Sequence, residues 1–543
     1  MRGRPYGRRR LNTHGELVRT AIALGCWLFT ALAVARVLHA IIEPDALASL
    51  ADDSSNYLVM ARCLSPWSGP GAAELSVCSQ QYFPAGFPLL LGLVGAGGSL
   101  PLAHLVVLCV FFISLPCVWV HASSVLRSPM LAHVLVACFA VLPGSLLGLQ
   151  GILSESWYLL LTSCFFLFLV RGGDAVRQSR LRATVMGGVL GLLVSTRSIG
   201  ILLMFAVFAT LARTAVMRFR GDRRDSRVSW SIPVVAVVVA GAIHLLFPPA
   251  RTPRDYGAIW GNLLQSMEDL PGYLTAQSMA LAQAWASYIA LYWTDDRPVV
   301  WVAMSGLLAL ALAGLIWRLL RNELDAWYVA AYLLVLALWP FPGQMLRFLF
   351  PVMPLLMLQG AWLLVELARS NPRTRLLGWL APALLLSVAI PAHAFLLGRA
   401  ELAHAQGLNP VYEWLRKPGA EDARRELGLQ NAMMADLGML SRTVAADAVV
   451  AFYEPSYIAL LAGRRAVELP FPVDEIAWRQ IHNAGASHVL LTRMHPRLSR
   501  STINGLALAA APPPNAQLLW CSREPLQGLE TSCLYQLHPR AAH

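Results

Sequence analysis

From residue 20 to residue 397 the sequence alternates apolar runs with polar segments, several of them short and arginine-rich, and this alternation restricts the fold more than any other feature. A helix needs roughly 20 apolar residues to cross a bilayer, fewer when it is short or broken inside a bundle. Runs that qualify lie at 20–37, 101–121, 131–149, 156–170, 183–196, 198–216, 229–247, 299–317, 327–340, 348–368 and 376–397. The chain is 57% hydrophobic and only 14% charged, which excludes a soluble enzyme of this length. The runs predict a polytopic all-α membrane domain of about 11 to 13 transmembrane helices. A net charge of +12 would suggest nucleic acid in a soluble protein, but here the arginines sit between apolar runs, where they orient membrane helices. No nucleic-acid partner is expected.

With the basic N-terminus in the cytoplasm, counting crossings puts "RGGDAVRQSRLR", "MRFRGDRRDSR", "RLLRNELD" and "RSNPRTR" inside, as the positive-inside rule asks. The first run has a basic leader and no clear small-residue cleavage site, so it reads as a retained signal anchor. The same parity leaves 42–100, 247–298 and everything after 397 outside. Residues 1–397 are thus expected to form the membrane domain and 398–543 a small C-terminal α/β domain. Its β-prone runs "SRTVAADAVVAFY", "SHVLLTRM", "AQLLWCSRE" and "TSCLYQLHP" alternate with helix-like "NPVYEWLRK" and "EDARRELGLQNAMMADLG". Cys63, Cys78, Cys521 and Cys533 fall on the disulfide-permissive side, with connectivity left open; the other five lie in apolar runs, where small buried hydrophobes are expected. The arginine-over-lysine bias and abundant Ala, Leu and Gly suit a bacterial inner membrane protein with an extracytoplasmic C-terminal domain.

Four separated segments deliver ionisable groups to the outside face. Asp52 and Asp53 open the first loop, Glu155 lies in "LLGLQGILSESWYLLLTS", Arg197 in "LLVSTRSIGILLM" and Arg347 in "WPFPGQMLRFLFPVMPLL". Ionisable groups near hydrocarbon are usually kept for pairing, transport pathways or chemistry. Arginine forks can hold a phosphate while a carboxylate accepts a proton. Tyr57, Ala61 and Leu64 recur at helical spacing after Asp53, so the loop is expected to restart as an interfacial amphipathic helix with the acids at its N-terminal end, where one would also suit a cap. Glu155 equally suits a helix start, favoured by the dipole, and the arginines equally suit snorkelling anchors. "SQQYFPAGFPLLLGLVGAGG" brings Tyr82 and Phe83 to the surface, either on a surface-lying or re-entrant helix or at the start of the second crossing. In the second outside segment Arg251, Arg254 and Tyr256 are candidates to cover a cavity and grip a substrate, or simply to anchor the interface.

Asp53-Ser54-Ser55-Asn56-Tyr57 with Ala61 and Leu64, then "YFPAGFPLLLGL", "GILSESWYLLL", "GLLVSTRSIGILL" and "RFLFPVMPLL", together resemble the C-type superfamily of polytopic glycosyltransferases that use polyprenyl-phosphate sugars. The resemblance is to the branch holding protein O-mannosyltransferases and the transferase that adds aminoarabinose to lipid A; it spans residues 50–360, and "YEPSYIALLAGRRAVELP" in the tail is a weaker match. It implies an inverting, metal-independent transfer with no cofactor, from a polyprenyl-phosphate sugar donor to a glycan, lipid or protein acceptor, among membrane lipids. Asp53 is implied as general base; Asp52 is a candidate supporting or substrate-contacting acid, and Glu155 a candidate to orient an arginine or contact the acceptor. Arg197 or Arg347 is implied to neutralise charge on the departing phosphate; Tyr57 and Tyr82, with Arg251, Arg254 and Tyr256 from the second outside segment, are further candidate substrate contacts read from the sequence. Relatives often carry Asp-Glu in the loop with Asp four positions before Tyr; here that register holds Asp53-Ser54, with a second acid one position earlier.

The alternative is a polytopic lipid or glycolipid transporter or flippase with an extracytoplasmic accessory domain. Such a protein is expected to put its ionisable groups near the midplane on broken helices, often within inverted repeats, and no fixed-period repeat is evident. Zinc hydrolysis and nucleotide binding lack their ligand spacing and glycine-rich context.

Overall fold

The computed structural model describes residues 13–42, 53–78, 83–171, 180–220, 229–247, 270–291, 298–370, 377–405, 421–470, 475–492, 515–523 and 530–538. Helices α1 (Thr13–Ile41), α2 (Ser54–Leu64), α3 (Ala72–Cys78), α4 (Gly86–Leu93), α5 (Leu100–Leu126), α6 (Pro129–Val141) and α7 (Pro143–Gly148) open the chain. They are followed by α8 (Glu155–Arg171), α9 (Arg180–Thr196), α10 (Ile201–Phe219), α11 (Ser231–Leu246) and α12 (Leu270–Ala290). The bundle is completed by α13 (Pro298–Leu320), α14 (Leu324–Ala337), α15 (Met345–Leu349), α16 (Met353–Ser370) and α17 (Leu377–Ala405). Among the described residues, five stretches are long and apolar enough to cross a membrane: Leu24–Ile41, Leu100–Leu126, Ser198–Met217, Trp301–Leu320 and Pro382–Leu402. Pro129–Val141, Glu155–Val170, Ser231–Leu246 and Leu324–Ala337 are shorter apolar helices. Large apolar side chains point away from the bundle, as Phe29 on α1 and Val234, Val237 and Val238 on α11 do. In water such a surface would drive aggregation; against lipid it is the appropriate exterior of a multi-pass membrane protein.

Prolines divide two of the expected runs. The 131–149 run becomes α6 and α7, because Leu142, immediately before Pro143, is extended. The 348–368 run is broken around Pro351, which leaves the five-residue α15 carrying Arg347 ahead of α16. Residues 247–298, expected as one outside segment, contain the 21-residue α12. Its alanines and polar residues kept it below the apolarity of a crossing, yet Ala284–Ala290 are buried. The Tyr288 hydroxyl lies 2.8 Å from Ser145 Oγ, and the Tyr273 hydroxyl donates to Leu338 O at 3.0 Å.

The first loop is more deeply packed than its pattern suggested. Ser54 to Ala61 of α2 are all buried, so α2 is an interior helix and not an interfacial one with a wet face. From Phe83 onward the "YFPAGFPLLLGL" stretch forms the short α4, which is followed by a turn at Ala96–Gly98 and then α5. Close approach depends on glycine: a Cβ on Gly92 would lie 2.8 Å from Ala61 O, and one on Gly97 2.8 Å from Arg62 N. Cys63 and Cys78 are joined, tying α2 to α3. Of the five free cysteines only Cys138 is buried; Cys109 lies on the exposed side of α5, where lipid and not core would accommodate it.

The C-terminal domain is a five-stranded sheet with α18 (Glu421–Thr443) and α19 (Glu475–Asn483). Its strands are β1 (Val449–Phe452), β2 (Arg465–Glu468), β3 (His488–Thr492), β4 (Ala516–Arg523) and β5 (Glu530–Leu537), in the order β2-β1-β3-β5-β4. β1 runs parallel to both neighbours, whereas β5 is antiparallel to β3 and β4. Cys521 and Cys533 face each other across β4 and β5 and are joined. Asp436 of α18 accepts hydrogen bonds from Ser522 Oγ at 2.5 Å and Thr531 Oγ1 at 3.0 Å, holding the helix to the hairpin. The "NPVYEWLRK" stretch lies outside the described residues.

A second ionic cluster sits about three helical turns down α8 from Glu155, where Phe166 packs on His121. Arg318 Nη2 donates to both oxygens of Asp325, at 2.7 and 2.8 Å, and His121 Nε2 lies 3.3 Å from Oδ2. All three residues are buried. Asp325→Ala would leave the buried Arg318 guanidinium with only the partly exposed Glu323 carboxylate, 4.0 Å away, as counter-charge in this cluster, a loss of up to about 3–5 kcal/mol. We expect a clearly lower Tm for this variant in lipid nanodiscs; an unchanged Tm would mean the cluster contributes little to stability.

Candidate active site

Four ionisable side chains from separate segments converge at the end of the bundle where α2 lies. Asp53 occupies the N-cap position of α2, and its backbone oxygen accepts the Tyr57 N–H at 3.1 Å. Its carboxylate makes no capping bond. It instead accepts a hydrogen bond from Arg347 Nη1 at 2.6 Å. Glu155 is the first residue of α8, where the helix dipole favours a carboxylate. Its Oε1 accepts from both Arg197 Nη1 and Arg347 Nε. Arg347 therefore bridges the two acids, and Glu155 bridges the two arginines.

Local structure explains each placement. Arg197 is extended, at the corner between α9 and the turn Ser198–Gly200, and its carbonyl accepts the Gly200 N–H at 2.8 Å. Arg347 is carried by α15, set off from α16 at Pro351. The Phe348 ring lies under both guanidiniums, 4.8 Å from Arg197 Cζ and 5.9 Å from that of Arg347, and its carbonyl accepts from the Tyr332 hydroxyl at 2.9 Å. The loop before Glu155 is strapped to its surroundings: Gln150 Nε2 donates to Ile41 O at 3.1 Å and the Ile152 N–H to Ser54 Oγ at 3.1 Å. Ser154 Oγ accepts from Arg197 Nη1 at 3.2 Å and lies 3.0 Å from the Tyr57 hydroxyl.

Exposure separates the roles. The side chains of Asp53, Arg197 and Arg347 are 18%, 16% and 20% exposed, open enough to be reached, whereas Glu155 is 1% exposed and serves as an internal anchor for the guanidiniums. Glu155 Oε2 is buried and has no hydrogen-bond partner among the described residues, a position that a substrate donor or an ordered water would satisfy. Burial works against the charge on Arg197, but Glu155 beside it outweighs that and holds the guanidinium above its ordinary value. For Arg347 burial is likewise outweighed, by Glu155 and then Asp53. Burial, with Asp53 adding to it, pushes the Tyr57 phenol up, so it stays neutral and able to donate.

Of the residues singled out in the sequence, Asp53, Tyr57, Glu155, Arg197 and Arg347 come together. Tyr57 does so as a buried residue, its ring 4.9 Å from Phe83 and 5.1 Å from Phe87 and its hydroxyl toward Ser154, so the structure gives it packing partners and no open face. Asp52, Tyr82, Arg251, Arg254 and Tyr256 lie outside the described residues. Sequence reasoning passed over Ser54, Ser154 and Phe348 as contributors. Each is adjacent to a residue it did select, and that adjacency was the available signal.

No family model matches the sequence, and no curated protein matches it. Several solved structures share the general course of the chain. The archaeal oligosaccharyltransferase AglB from Archaeoglobus fulgidus, in complex with an inhibitory peptide and a dolichol-phosphate, is 12% identical over 87% of this chain and 70% of that one, with a TM-score of 0.48. ArnT from Cupriavidus metallidurans in the apo state is 13% identical over 93% and 97%, also at 0.48. The arabinofuranosyltransferase AftD from mycobacteria is 15% identical over 94% of this chain and 40% of its own, at 0.37. These likenesses are loose, and the functional reading stands on the site's own geometry.

Proposed function

We propose that the protein is an inverting glycosyltransferase of the bacterial inner membrane that moves a sugar from a polyprenyl-phosphate donor to a hydroxyl or amine of a glycan, lipid or protein acceptor at the extracytoplasmic face. In this reading about 11 to 13 helices cross the membrane. The N-terminus is cytoplasmic, and the C-terminal domain lies outside above the site. The observation that carries the reading is Arg347, which holds Asp53 and Glu155 at once through different nitrogens of one guanidinium.

The arrangement suits a transfer between an anion and a nucleophile. A phosphate diester reaching the site competes with the carboxylates for the arginine forks. As Arg347 turns toward the phosphate, Asp53 is released to accept the proton of the acceptor O–H or N–H. The acceptor atom bonds to the anomeric carbon from the face opposite the phosphate, the bond from that carbon to the phosphate oxygen breaks, and polyprenyl phosphate leaves with the electron pair. Arg197 and Arg347 neutralise the charge that grows on the departing oxygen. Glu155 keeps both guanidiniums in place during the exchange. In this reading the arginines supply the positive charge and no metal is required.

The test is turnover by the purified protein in nanodiscs with a panel of polyprenyl-phosphate sugars, following release of polyprenyl phosphate. Release is expected with at least one donor and a suitable acceptor, and a chelator should leave it unchanged. Absence of release with every donor and suitable acceptors would remove the transferase reading. A chelator-sensitive rate would remove the metal-independent one.

A further inference from the structure

The sheet of the C-terminal domain presents polar groups to the membrane domain at an unusual place. β1 has β2 on one side and β3 on the other, both parallel, so the chain reverses its direction of travel across the sheet beside β1. Crevices outside the carboxyl ends of strands at such a reversal are where α/β sheets ordinarily receive ligands. Here the chain leaving the carboxyl end of β1 carries Glu454 and Ser456, both fully buried, and what they meet is the first turn of α2. Ser456 Oγ lies 2.8 Å from Ser55 Oγ, and Glu454 Oε2 accepts from Asn56 Nδ2 at 3.3 Å. A third tie lies alongside: the Ala466 N–H of edge strand β2 donates to Ser76 Oγ at 3.0 Å on α3, which the Cys63–Cys78 bond joins to α2.

Ser55 and Asn56 are two and three residues from Asp53 on the same helical start. The opposite side of that turn is held by Ser54 Oγ on the Ile152 N–H and by Tyr57 on Ser154. One residue of helical slippage would shift α2 by about 1.5 Å and rotate it by about 100°. Either would break a 2.6 Å contact between Asp53 and Arg347. Apolar packing would suffice to dock a domain on a helix. A fully buried carboxylate and serine aimed at neighbouring side chains of one turn fix rotation and register as well.

We infer that Glu454 and Ser456 are positioning residues: through Asn56 and Ser55 the C-terminal domain sets the register of α2 and thereby holds Asp53 against Arg347. The catalytic consequence rests on the transferase reading above; the mechanical one does not. Both are read in full-length protein in nanodiscs, by hydrogen–deuterium exchange of the α2 N-terminal peptide and by donor turnover. Glu454→Ala is expected to speed exchange in the first turn of α2 and to lower kcat on the order of tenfold or more with donor KM unchanged, since misplacement of a reacting group acts on the chemical step. Glu454→Gln keeps an acceptor oxygen for Asn56 and should bring exchange and kcat back toward wild type. Ser456→Ala gives an independent variant should Glu454→Ala not fold. Wild-type exchange and kcat in folded Glu454→Ala or Ser456→Ala overturn the inference, and so does an equal defect in Glu454→Gln and Glu454→Ala. If the wild-type protein turns over no donor, the transferase reading falls, while the exchange comparison still decides whether these residues hold α2.

Discussion

Asp53→Asn is expected to lower kcat by roughly 10²- to 10⁴-fold, the usual worth of a positioned general base, while the protein still folds and still binds donor. Asparagine has the same shape, and its amide oxygen can still accept the hydrogen bond that Arg347 Nη1 now gives to the Asp53 carboxylate. The change therefore removes proton acceptance and leaves most of the geometry. Asp53→Glu provides the complementary case: it keeps the base but lengthens the arm by a methylene, which displaces the carboxylate from Arg347. We expect Asp53→Glu to fall between wild type and Asp53→Asn. Steady-state release of polyprenyl phosphate, with protein quantity matched by a folded-fraction assay, reads both. Wild-type turnover in folded Asp53→Asn would transfer the role of base to another group.

Arg347→Lys is the second large effect. Arginine donates from Nε to Glu155 and from Nη1 to Asp53, two directions fixed by one planar group. Lysine offers a single charged nitrogen on a flexible stem and cannot hold both acids in that plane. Loss of one preorganised donor to a developing oxyanion typically costs about 10²- to 10³-fold in rate, and we expect kcat/KM for the donor to fall by that order. Arg347→Ala should in addition lower the Tm, because Glu155, a buried carboxylate, then keeps Arg197 as its one guanidinium partner among these residues. Wild-type kinetics in Arg347→Lys would exclude Arg347 from donor binding. The pH dependence has a definite sign here. The folded-state pKa of Arg347 is raised, so its stabilising charge is fully present below the ordinary guanidinium value and is lost only as pH rises through the still higher folded value. That lies above any pH at which the protein can be assayed, so a basic limb in the rate profile would report another group.

The site was legible in part because ionisable residues stand out in an apolar chain. Glu155, Arg197 and Arg347 lie in separate segments, and counting crossings put them on one face. Which oxygen pairs with which nitrogen has no sequence signature, so the double use of Glu155 Oε1 and the bridging by Arg347 emerged only in three dimensions. Asp53 shows the same limit: an acid just before a helix reads as a cap, and only the arrival of Arg347 from 294 positions away shows where its carboxylate goes. Helix boundaries failed where local and global signals conflict. Pro143 and Pro351 were visible but lay inside runs apolar enough to read as single crossings. In α12 the weaker apolarity hid a helix that packs through Trp285 and Tyr288. The pattern of α2 looked amphipathic because its polar residues Ser55 and Asn56 face polar groups of another domain, and a periodicity cannot tell protein from water as the partner of a polar face.

That pairing also sets an order of events during synthesis. Ser55 meets a residue 401 positions later in the chain. At about 5–20 residues per second, the first turn of α2 waits on the order of a minute for its counterpart to be made. The counterpart must then fold before the contact can close. Until then the buried hydroxyl and amide of α2 lack that seat, and the acid at its start is without the contacts that fix its register. The membrane helices can therefore be in place long before the corner that holds Asp53 against Arg347 is complete, which happens only after the last domain has docked.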